Sequence, residues 1–184
     1  LLPRKAGGAS ACDGVDQLLL APGSGDDSAL QQVFLDGDFL GLIGVEQLVL
    51  CDTDATRAGR LRDQLAAAHG ATRVTLADDP ARAASGCSGI VNATPMGMAK
   101  FPGIPLPAEA IEARHWVADI VYVPLETELL ATARARGCRT LDGSGMAMHQ
   151  AAEAFEIFTG RTADRARMLA SFTAFAAPPT VAAV

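Results

Sequence analysis

Two polar side chains follow a short apolar run in the middle of the chain, and their positions suggest a ligand-binding loop. The run 89–91 leads directly into Asn92 and Thr94, and Pro95 and Gly97 then turn the chain. This order is typical of a buried parallel strand that delivers a loop to the carboxyl edge of an α/β sheet, where such sheets bind their ligands. We expect Asn92 and Thr94 to contact a cofactor at that edge. The alternative is a polar turn that only closes a core strand.

Acidic side chains end an earlier apolar strand. Residues 45–51 read as a strand that runs into Asp52 and Asp54, and residues 55–69 read as a helix. An acidic residue at this place accepts the ribose hydroxyls of a dinucleotide and repels the 2′-phosphate of NADP. We therefore expect Asp52 and Asp54 to bind NAD, with NADP as the alternative, and Asp54 is also placed to cap the helix. Arg57 lies a turn into the helix and is predicted to be a solvated charge.

The segments around these residues alternate between strand and helix patterns. Further short strands are predicted at 73–77, 89–91, 116–121 and 139–141, and further helices at 80–84, 127–137, 146–158 and 162–175. Strands that alternate with helices form parallel sheets through right-handed crossovers. The predicted fold class is therefore α/β, a Rossmann-like doubly wound parallel sheet followed by C-terminal helices.

The beginning of the chain resembles a phosphate-binding turn only in part. Residues 18–21 read as a short buried strand, and residues 22–28 imitate the G-x-G-x-x-G pattern with a serine in place of the third glycine. Asp26 and Asp27 would lie where two phosphates must bind, which is electrostatically unfavourable. We interpret residues 1–43 as an irregular, degraded or truncated start.

Composition limits the classes of partner. The chain has 184 residues, a net charge of −6 and no apolar run long enough to cross a membrane, which argues against nucleic acid or a membrane as partner. Its four cysteines form no C-x-x-C pair, so neither a metal site nor a disulfide framework is expected, and cytoplasm is the expected compartment. We divide the chain into the start 1–43, a dinucleotide-binding domain 44–160, and a C-terminal helix and tail 161–184.

Three blocks of the sequence resemble motifs of the shikimate dehydrogenase family. Residues 92–98 are similar to its N-A-T-x-x-G-M loop, and residues 118–130 to its D-x-x-Y-x-P-x-x-T-x-L-L signature. Residues 143–155, followed by Thr159-Gly160, are similar to its closing G-x-x-M-x-x-x-Q-A-x-x-A-F…T-G block. The resemblance implies reversible hydride transfer between NAD(P) and a cyclic polyol carboxylate, either shikimate or quinate. The acidic end of the second strand is closer to the NAD-using quinate/shikimate branch.

The resemblance also assigns roles to single residues. Gly143 matches the family's cofactor-contacting glycine, and Gln150 matches a glutamine that contacts the substrate. Ile120 would form an apolar wall for the nicotinamide ring, and the phenol of Tyr122 would hydrogen-bond a substrate carboxylate or hydroxyl. His149 is expected to be structural rather than catalytic.

The family's catalytic residues have no counterpart in this sequence. Its members carry a catalytic Lys and Asp in an N-terminal substrate domain, and the two lysines here, Lys5 and Lys100, lie outside the corresponding motifs. We therefore expect no catalytic residue in this chain and a substrate domain that is absent or truncated. A non-catalytic dinucleotide- or metabolite-binding module is the alternative function. A small-molecule substrate is the expected partner, and a homodimer is compatible with the sequence.

Overall fold

One parallel sheet of six strands organises the chain. The computed structural model describes residues 17–22 and 46–176. The strands are β1 (Gln17–Pro22), β2 (Gln47–Leu50), β3 (Val74–Leu76), β4 (Gly89–Ala93), β5 (Trp116–Asp119) and β6 (Arg139–Leu141). Their order in the sheet is β3-β2-β1-β4-β5-β6, which is the order of doubly wound dinucleotide-binding folds. The predicted fold class is confirmed.

The helices cover the sheet and follow it at the C-terminal end. They are α1 (Ala55–His69), α2 (Pro80–Ala84), α3 (Glu128–Ala135), α4 (Ser144–Thr159) and α5 (Arg165–Ala176). Local signals fix their ends: Asp79 caps α2, Thr127 caps α3, and Gly70 ends α1 with a φ of 101° that favours glycine. The helices predicted from the sequence are therefore found, with small differences at their ends.

The first strand confirms the short strand predicted over residues 18–21 and shows where the sheet begins. The backbone of β1 pairs with β2 through Gln17 and Gln47, and with β4 through Leu18 and Gly89. The sheet thus begins before Gly44, since its central strand lies within the segment interpreted as an irregular start. The glycine-rich turn predicted over residues 22–28 lies, after Pro22, outside the described residues, as does the tail from residue 177.

Two apolar layers enclose the sheet, because successive side chains of a strand point to opposite faces. One layer joins β2, β3 and β4 to α1 through Leu48, Leu50, Val74, Val91, Leu61 and Leu65. The other joins β2, β4 and β5 to α3 through Val49, Ile90, Val117, Leu129, Leu130 and Ala133. A helix on each face leaves the carboxyl edge of the sheet open between them.

Candidate functional site

Asp52 follows β2 and is held by Arg57 from the first turns of α1. The Nε of Arg57 donates to Oδ2 of Asp52, and Nη2 donates to Oδ1, both at 2.7 Å. The backbone N–H of Asp54 donates to the same Oδ1 at 2.9 Å. The Asp52 side chain is 0% exposed and that of Arg57 is 22% exposed. The prediction of a solvated Arg57 is therefore wrong, because the helix begins close enough to the strand end for the guanidinium to reach the carboxylate.

Asp54 has the capping role that the sequence predicts. Its Oδ1 accepts hydrogen bonds from the backbone N–H groups of Thr56 at 2.9 Å and Arg57 at 3.0 Å. The hydrogen bond from the Arg57 backbone is the main cause that lowers the pKa of Asp54. The residue is exposed beside Asp52, and its contact with a ribose stays a prediction.

A pocket of about 220 Å³ opens at the carboxyl edge of the sheet. The loops after three strands form it: Cys51, Asp52 and Thr53 follow β2, Asp78 and Pro80 follow β3, and Thr94, Pro95, Met96, Phe101 and Pro105 follow β4. The structure thus brings Asp52 and Thr94 onto one pocket, although they were predicted from separate segments.

Two residues of this pocket were missed by the sequence reasoning. Asp78 follows β3 as Asp52 follows β2, so the same signal, an acidic residue directly after an apolar strand, was available. Phe101 belongs to a turn that returns to Met98 through an isolated β-bridge, and its side chain is half-exposed at the pocket. No sequence pattern indicated that this turn would fold back over the strand end.

Asn92 lies beneath the pocket rather than in its wall. It is fully buried, and its Nδ2 donates to the carbonyl of Met96 and to Oδ1 of Asp119, both at 2.9 Å. Its Oδ1 accepts from the backbone N–H of Thr94 at 3.0 Å and from the Thr94 hydroxyl at 2.7 Å. These four bonds use both donors and both acceptor sites of the amide. The expected direct contact of this side chain with a cofactor is therefore revised, since Asn92 holds Thr94 and Met96 in place.

Asp119 is a buried carboxylate that the sequence reasoning did not select. Only 3% of it is exposed, and burial raises its pKa above the ordinary value of an aspartate. Its Oδ1 accepts from the backbone N–H of Val121 at 3.0 Å as well as from Asn92. Its Oδ2 accepts from the hydroxyl of Thr127 at 2.6 Å. An ionisable residue at the end of an otherwise apolar strand was the available signal.

Gly143 permits a close approach between α4 and the end of β5. A Cβ built on it would lie 2.7 Å from the carbonyl oxygen of Ile120 and 2.9 Å from that of Val121. Asp142 accepts hydrogen bonds from the backbone N–H and the hydroxyl of Ser144, so α4 begins two residues before the predicted start. Ile120 is half-buried and packs on the layer that covers β2 and β4. Gly143 and Ile120, both predicted to touch a cofactor, are thus neighbours.

The predicted substrate residues lie toward the C-terminal helices. Tyr122 is half-exposed, and its ring centroid lies 6.0 Å from that of Phe172 in α5. Gln150 is exposed on α4, and the neighbouring His149 contacts Arg165 through Nδ1 at 2.9 Å, which links α4 to α5. Both predicted substrate residues are accessible, and their contacts with substrate stay predictions.

Other reactive side chains of the described residues point to no separate chemistry. Burial raises the pKa of Cys51 and of Cys87 to about 11, so both thiols are protonated at neutral pH and are weak nucleophiles. Within residues 17–22 and 46–176, no three His, Cys, Asp or Glu side chains are grouped as metal ligands would be. No helix of the described segments is long and apolar enough to cross a membrane.

This edge of the sheet fits the adenosine end of a dinucleotide. A carboxylate at the end of the second strand lines a pocket whose other walls are largely apolar, as a ribose and a purine ring require. Gly143 lets the start of α4 pack directly against the backbone at the end of β5, and its contact with a cofactor stays a prediction. The residues that follow β1, which contact the pyrophosphate in such folds, lie outside the described part of the chain.

Comparisons with known proteins agree with this geometry. The family model of the shikimate 5′-dehydrogenase C-terminal domain matches residues 143–171. A quinate/shikimate dehydrogenase (NAD(+)) of Corynebacterium efficiens is 48% identical over 131 residues, which are 70% of this chain and 46% of that protein. A shikimate dehydrogenase (NADP(+)) of Pseudarthrobacter chlorophenolicus is 48% identical over 143 residues, which are 76% of this chain and 48% of that protein.

A solved structure supports the same assignment. Quinate dehydrogenase from Corynebacterium glutamicum, in complex with NAD, superposes with a TM-score of 0.72 at 40% sequence identity, and the match covers 87% of this chain and 55% of that one. This chain therefore spans about half the length of the relatives that it matches. Together with the three sequence blocks and the strand order, these matches show that the chain belongs to the shikimate dehydrogenase family and corresponds to the C-terminal half of its members.

Proposed function

We propose that this chain is the cofactor-binding half of an NAD-dependent quinate/shikimate dehydrogenase. The reaction is the reversible oxidation of a ring hydroxyl of a cyclic polyol carboxylate, with the bound dinucleotide supplying the hydride acceptor. The observation that carries the proposal is the pocket at the carboxyl edge of the sheet, where Asp52 and Thr94 meet. Relatives named for this activity align with 70% and 76% of the chain.

The described residues divide the binding of the dinucleotide between two places. At the pocket, the guanidinium of Arg57 moves aside, Asp52 accepts the hydroxyls of the adenosine ribose, and the apolar walls take the adenine ring. At the end of β5, Ile120 presents an apolar surface to the nicotinamide ring, and Gly143 keeps the start of α4 packed against the carbonyl groups of Ile120 and Val121. The loop that Asn92 holds follows β4, the neighbour of β5 in the sheet. This loop lines the pocket and so lies between the two places.

Tyr122 and Gln150 serve the substrate in this proposal. Both side chains are accessible beside the C-terminal helices, and each offers the donors and acceptors that hydroxyl and carboxylate groups require. In this proposal both side chains bind and orient the polyol. Proton transfer from the reacting hydroxyl needs a further group.

The proposed preference for NAD over NADP follows from Asp52. Its carboxylate stands where a 2′-phosphate would have to bind, and like charges in contact repel. Arg57 weakens that repulsion because its guanidinium is paired with the same carboxylate. We therefore propose a preference for NAD that is moderate rather than absolute.

A non-catalytic dinucleotide-binding module of the same fold is the second candidate. One observation favours it. Lys100 is the only lysine among the described residues, and it is exposed in the turn after β4. It forms no ion pair with a described carboxylate. The described part of the chain thus supplies no lysine–carboxylate pair for proton transfer. The two candidates share the cofactor site and differ in turnover.

Calorimetric titration of the purified chain with NAD, NADP and shikimate tests the proposal. We expect NAD to bind and NADP to bind more weakly. When shikimate is added together with NAD or NADP, reduced cofactor should form only in the catalytic case. Absorbance at the wavelength of reduced nicotinamide separates the dehydrogenase from the binding module. No binding of either dinucleotide would refute both candidates.

A further inference from the structure

A buried hydrogen-bond network connects three elements beneath the pocket. Asn92, Asp119 and Thr127 lie at the ends of β4 and β5 and at the start of α3, and their exposed fractions are 0%, 3% and 1%. Their side chains are joined in one chain: Asn92 Nδ2 donates to Asp119 Oδ1 at 2.9 Å, and the Thr127 hydroxyl donates to Asp119 Oδ2 at 2.6 Å. Asp119 is thus the centre of the network.

We propose that Asp119 is a positioning residue that sets the pocket wall formed by Thr94 and Met96, and that it acts through the side chain of Asn92. This inference rests on the proposed function only where affinity for NAD is concerned. The position of the wall itself is a property of the ligand-free protein.

The hydrogen-bond partners of Asn92 fix the orientation of its side-chain amide. Asp119 in its ionised form only accepts hydrogen bonds, so it requires the N–H side of the amide to face it. The other N–H of Nδ2 then donates to the Met96 carbonyl at 2.9 Å, and Oδ1 is left to accept from Thr94. Rotating the amide by 180° would place its oxygen against both the carboxylate and that carbonyl.

Asn92 is connected to the pocket through the side chain of Thr94. The Thr94 hydroxyl donates to Asn92 Oδ1 and accepts from the backbone N–H of Met96 at 3.0 Å. Both ends of the segment 94–96 are thereby tied to the same amide, and this segment lines the pocket opposite Asp52. A change in the amide therefore moves a wall that a bound adenosine touches.

The network has two arms. The first arm runs from Asp119 through Asn92 to the pocket, and the second arm runs from Asp119 to Thr127. Thr127 Oγ1 also accepts from the backbone N–H of Leu130 at 3.3 Å, which caps α3. The arm from Asp119 to Thr127 thus stabilises a helix, and Thr127 does not line the pocket. The two arms predict different consequences when each is cut.

Three variants test the proposal. In Asp119→Ser the hydroxyl still accepts from the Val121 N–H but is too short to reach Asn92 or Thr127, so both arms are cut and comparison with Thr127→Val isolates the effect of the arm to Asn92. In Asp119→Asn the side-chain oxygen still faces Asn92 and Val121 while the amide nitrogen faces the Thr127 hydroxyl, so both arms are kept. Thr127→Val is the matched control, because it cuts only the second arm and preserves the shape of the side chain.

The direct readout is the methyl signal of Met96 in a carbon-13 NMR spectrum of methionine-labelled protein. The chain has five methionines, and Met96→Leu assigns the signal. We expect the signal to move in Asp119→Ser and to keep its wild-type position in Asp119→Asn and Thr127→Val. A signal that stays in place in Asp119→Ser, or that moves equally in Thr127→Val, would overturn the proposal.

Affinity for NAD is the second readout. We expect the dissociation constant to rise at least about tenfold in Asp119→Ser, the effect of about one lost hydrogen bond, and to stay within about twofold in Thr127→Val although its Tm falls. If wild-type protein binds no NAD, the proposed function fails, while the Met96 signal still decides the positioning role. If Asp119→Ser does not fold, Asn92→Thr removes the amide nitrogen that donates to both Asp119 and Met96, and an unmoved Met96 signal there overturns the proposal.

Discussion

The guanidinium of Arg57 closes over the carboxylate of Asp52 with two hydrogen bonds of 2.7 Å. Removing one partner of such a pair leaves the other charge uncompensated, and here the carboxylate is fully shielded from solvent. The pair is therefore nearly neutral in the ligand-free chain, and we expect the guanidinium to move aside when a ribose hydroxyl reaches the carboxylate. The guanidinium is then a cation close to the place where a 2′-phosphate would bind. We therefore expect cofactor preference in this chain to depend on both residues and not on the acidic one alone.

Asp52→Asn should shift the preference from NAD toward NADP. The substitution removes the negative charge that opposes a 2′-phosphate and leaves the guanidinium with a neutral partner. We expect the ratio of the NAD and NADP dissociation constants to change by at least about tenfold, which corresponds to ~1.4 kcal/mol. Calorimetric titration of both dinucleotides measures the ratio.

Arg62→Gln is the matched control for this experiment. Arg62 lies on the same helix and forms an ion pair with Asp63 at 2.6 Å, but both side chains are exposed away from the pocket lining. Its loss should leave the ratio unchanged. An unchanged ratio in Asp52→Asn, with both dinucleotides still bound, would refute the role of this carboxylate in cofactor choice.

Gly143→Ala should destabilise the protein and weaken binding of the nicotinamide half. The added methyl would lie 2.7 Å from the Ile120 carbonyl oxygen, which is backbone and has little freedom to move. We expect a loss of about 2–3 kcal/mol in the free energy of unfolding, as for other overpacked positions. Urea unfolding followed by circular dichroism measures this loss.

Gly145→Ala provides the comparison, since a Cβ at Gly145 meets no heavy atom within 4 Å. This variant lies on the same helix and should be as stable as the wild type or more stable, because alanine favours helix. Equal stabilities of the two variants would show that the close approach at Gly143 is not needed.

His115 should make the protein less stable in mild acid. The imidazole is 1% exposed, and its Nδ1 accepts from the Glu112 backbone N–H at 3.0 Å while Nε2 contacts the Ala84 carbonyl at 3.1 Å. Burial, followed by the nearby charge of Arg114, lowers its pKa from the value of about 6.5 in the unfolded chain. As the pH falls below about 6.5, the unfolded state therefore binds more protons than the folded state. The contribution of His115 to stability is full above that pH and is lost as the pH falls toward the lowered pKa of the folded state.

Urea unfolding at pH 7.5 and pH 5.5 tests this dependence. We expect the wild type to lose stability between these two values and His115→Gln to lose less, because glutamine does not titrate. His149→Gln removes an exposed imidazole and should behave as the wild type. A loss of equal size in His115→Gln would assign the pH dependence to other groups.

Local sequence signals predicted much of this fold. The helix over residues 55–69 was predicted with the bounds that it has, because an aspartate cap and a terminal glycine mark both ends. The strand β1 was predicted over residues 18–21, but its central place in the sheet was not, since its neighbours are residues 47–50 and 89–93, far from it in sequence. Long-range pairing of this kind leaves no periodic signal near the strand.

The site was predicted less completely than the fold. Asp52 and Thr94 were identified from their places at strand ends, and the structure brings both to one pocket. The partners of these side chains were not predictable, because they depend on three-dimensional packing: Arg57 reaches Asp52 across the start of a helix, and Asp119 reaches Asn92 from the next strand. Sequence position indicated which residues lie at the edge but not which of them are already engaged by the protein.

The most direct test of the account is a crystal structure of this chain with NAD. We predict that the adenosine ribose hydroxyls lie within hydrogen-bond distance of the Asp52 carboxylate and that the adenine ring occupies the pocket between Pro80 and Phe101. Asn92 should make no contact with the cofactor and should keep its hydrogen bonds to Asp119 and Met96. Adenosine bound away from Asp52, or a pocket left empty while NAD binds elsewhere, would contradict the account.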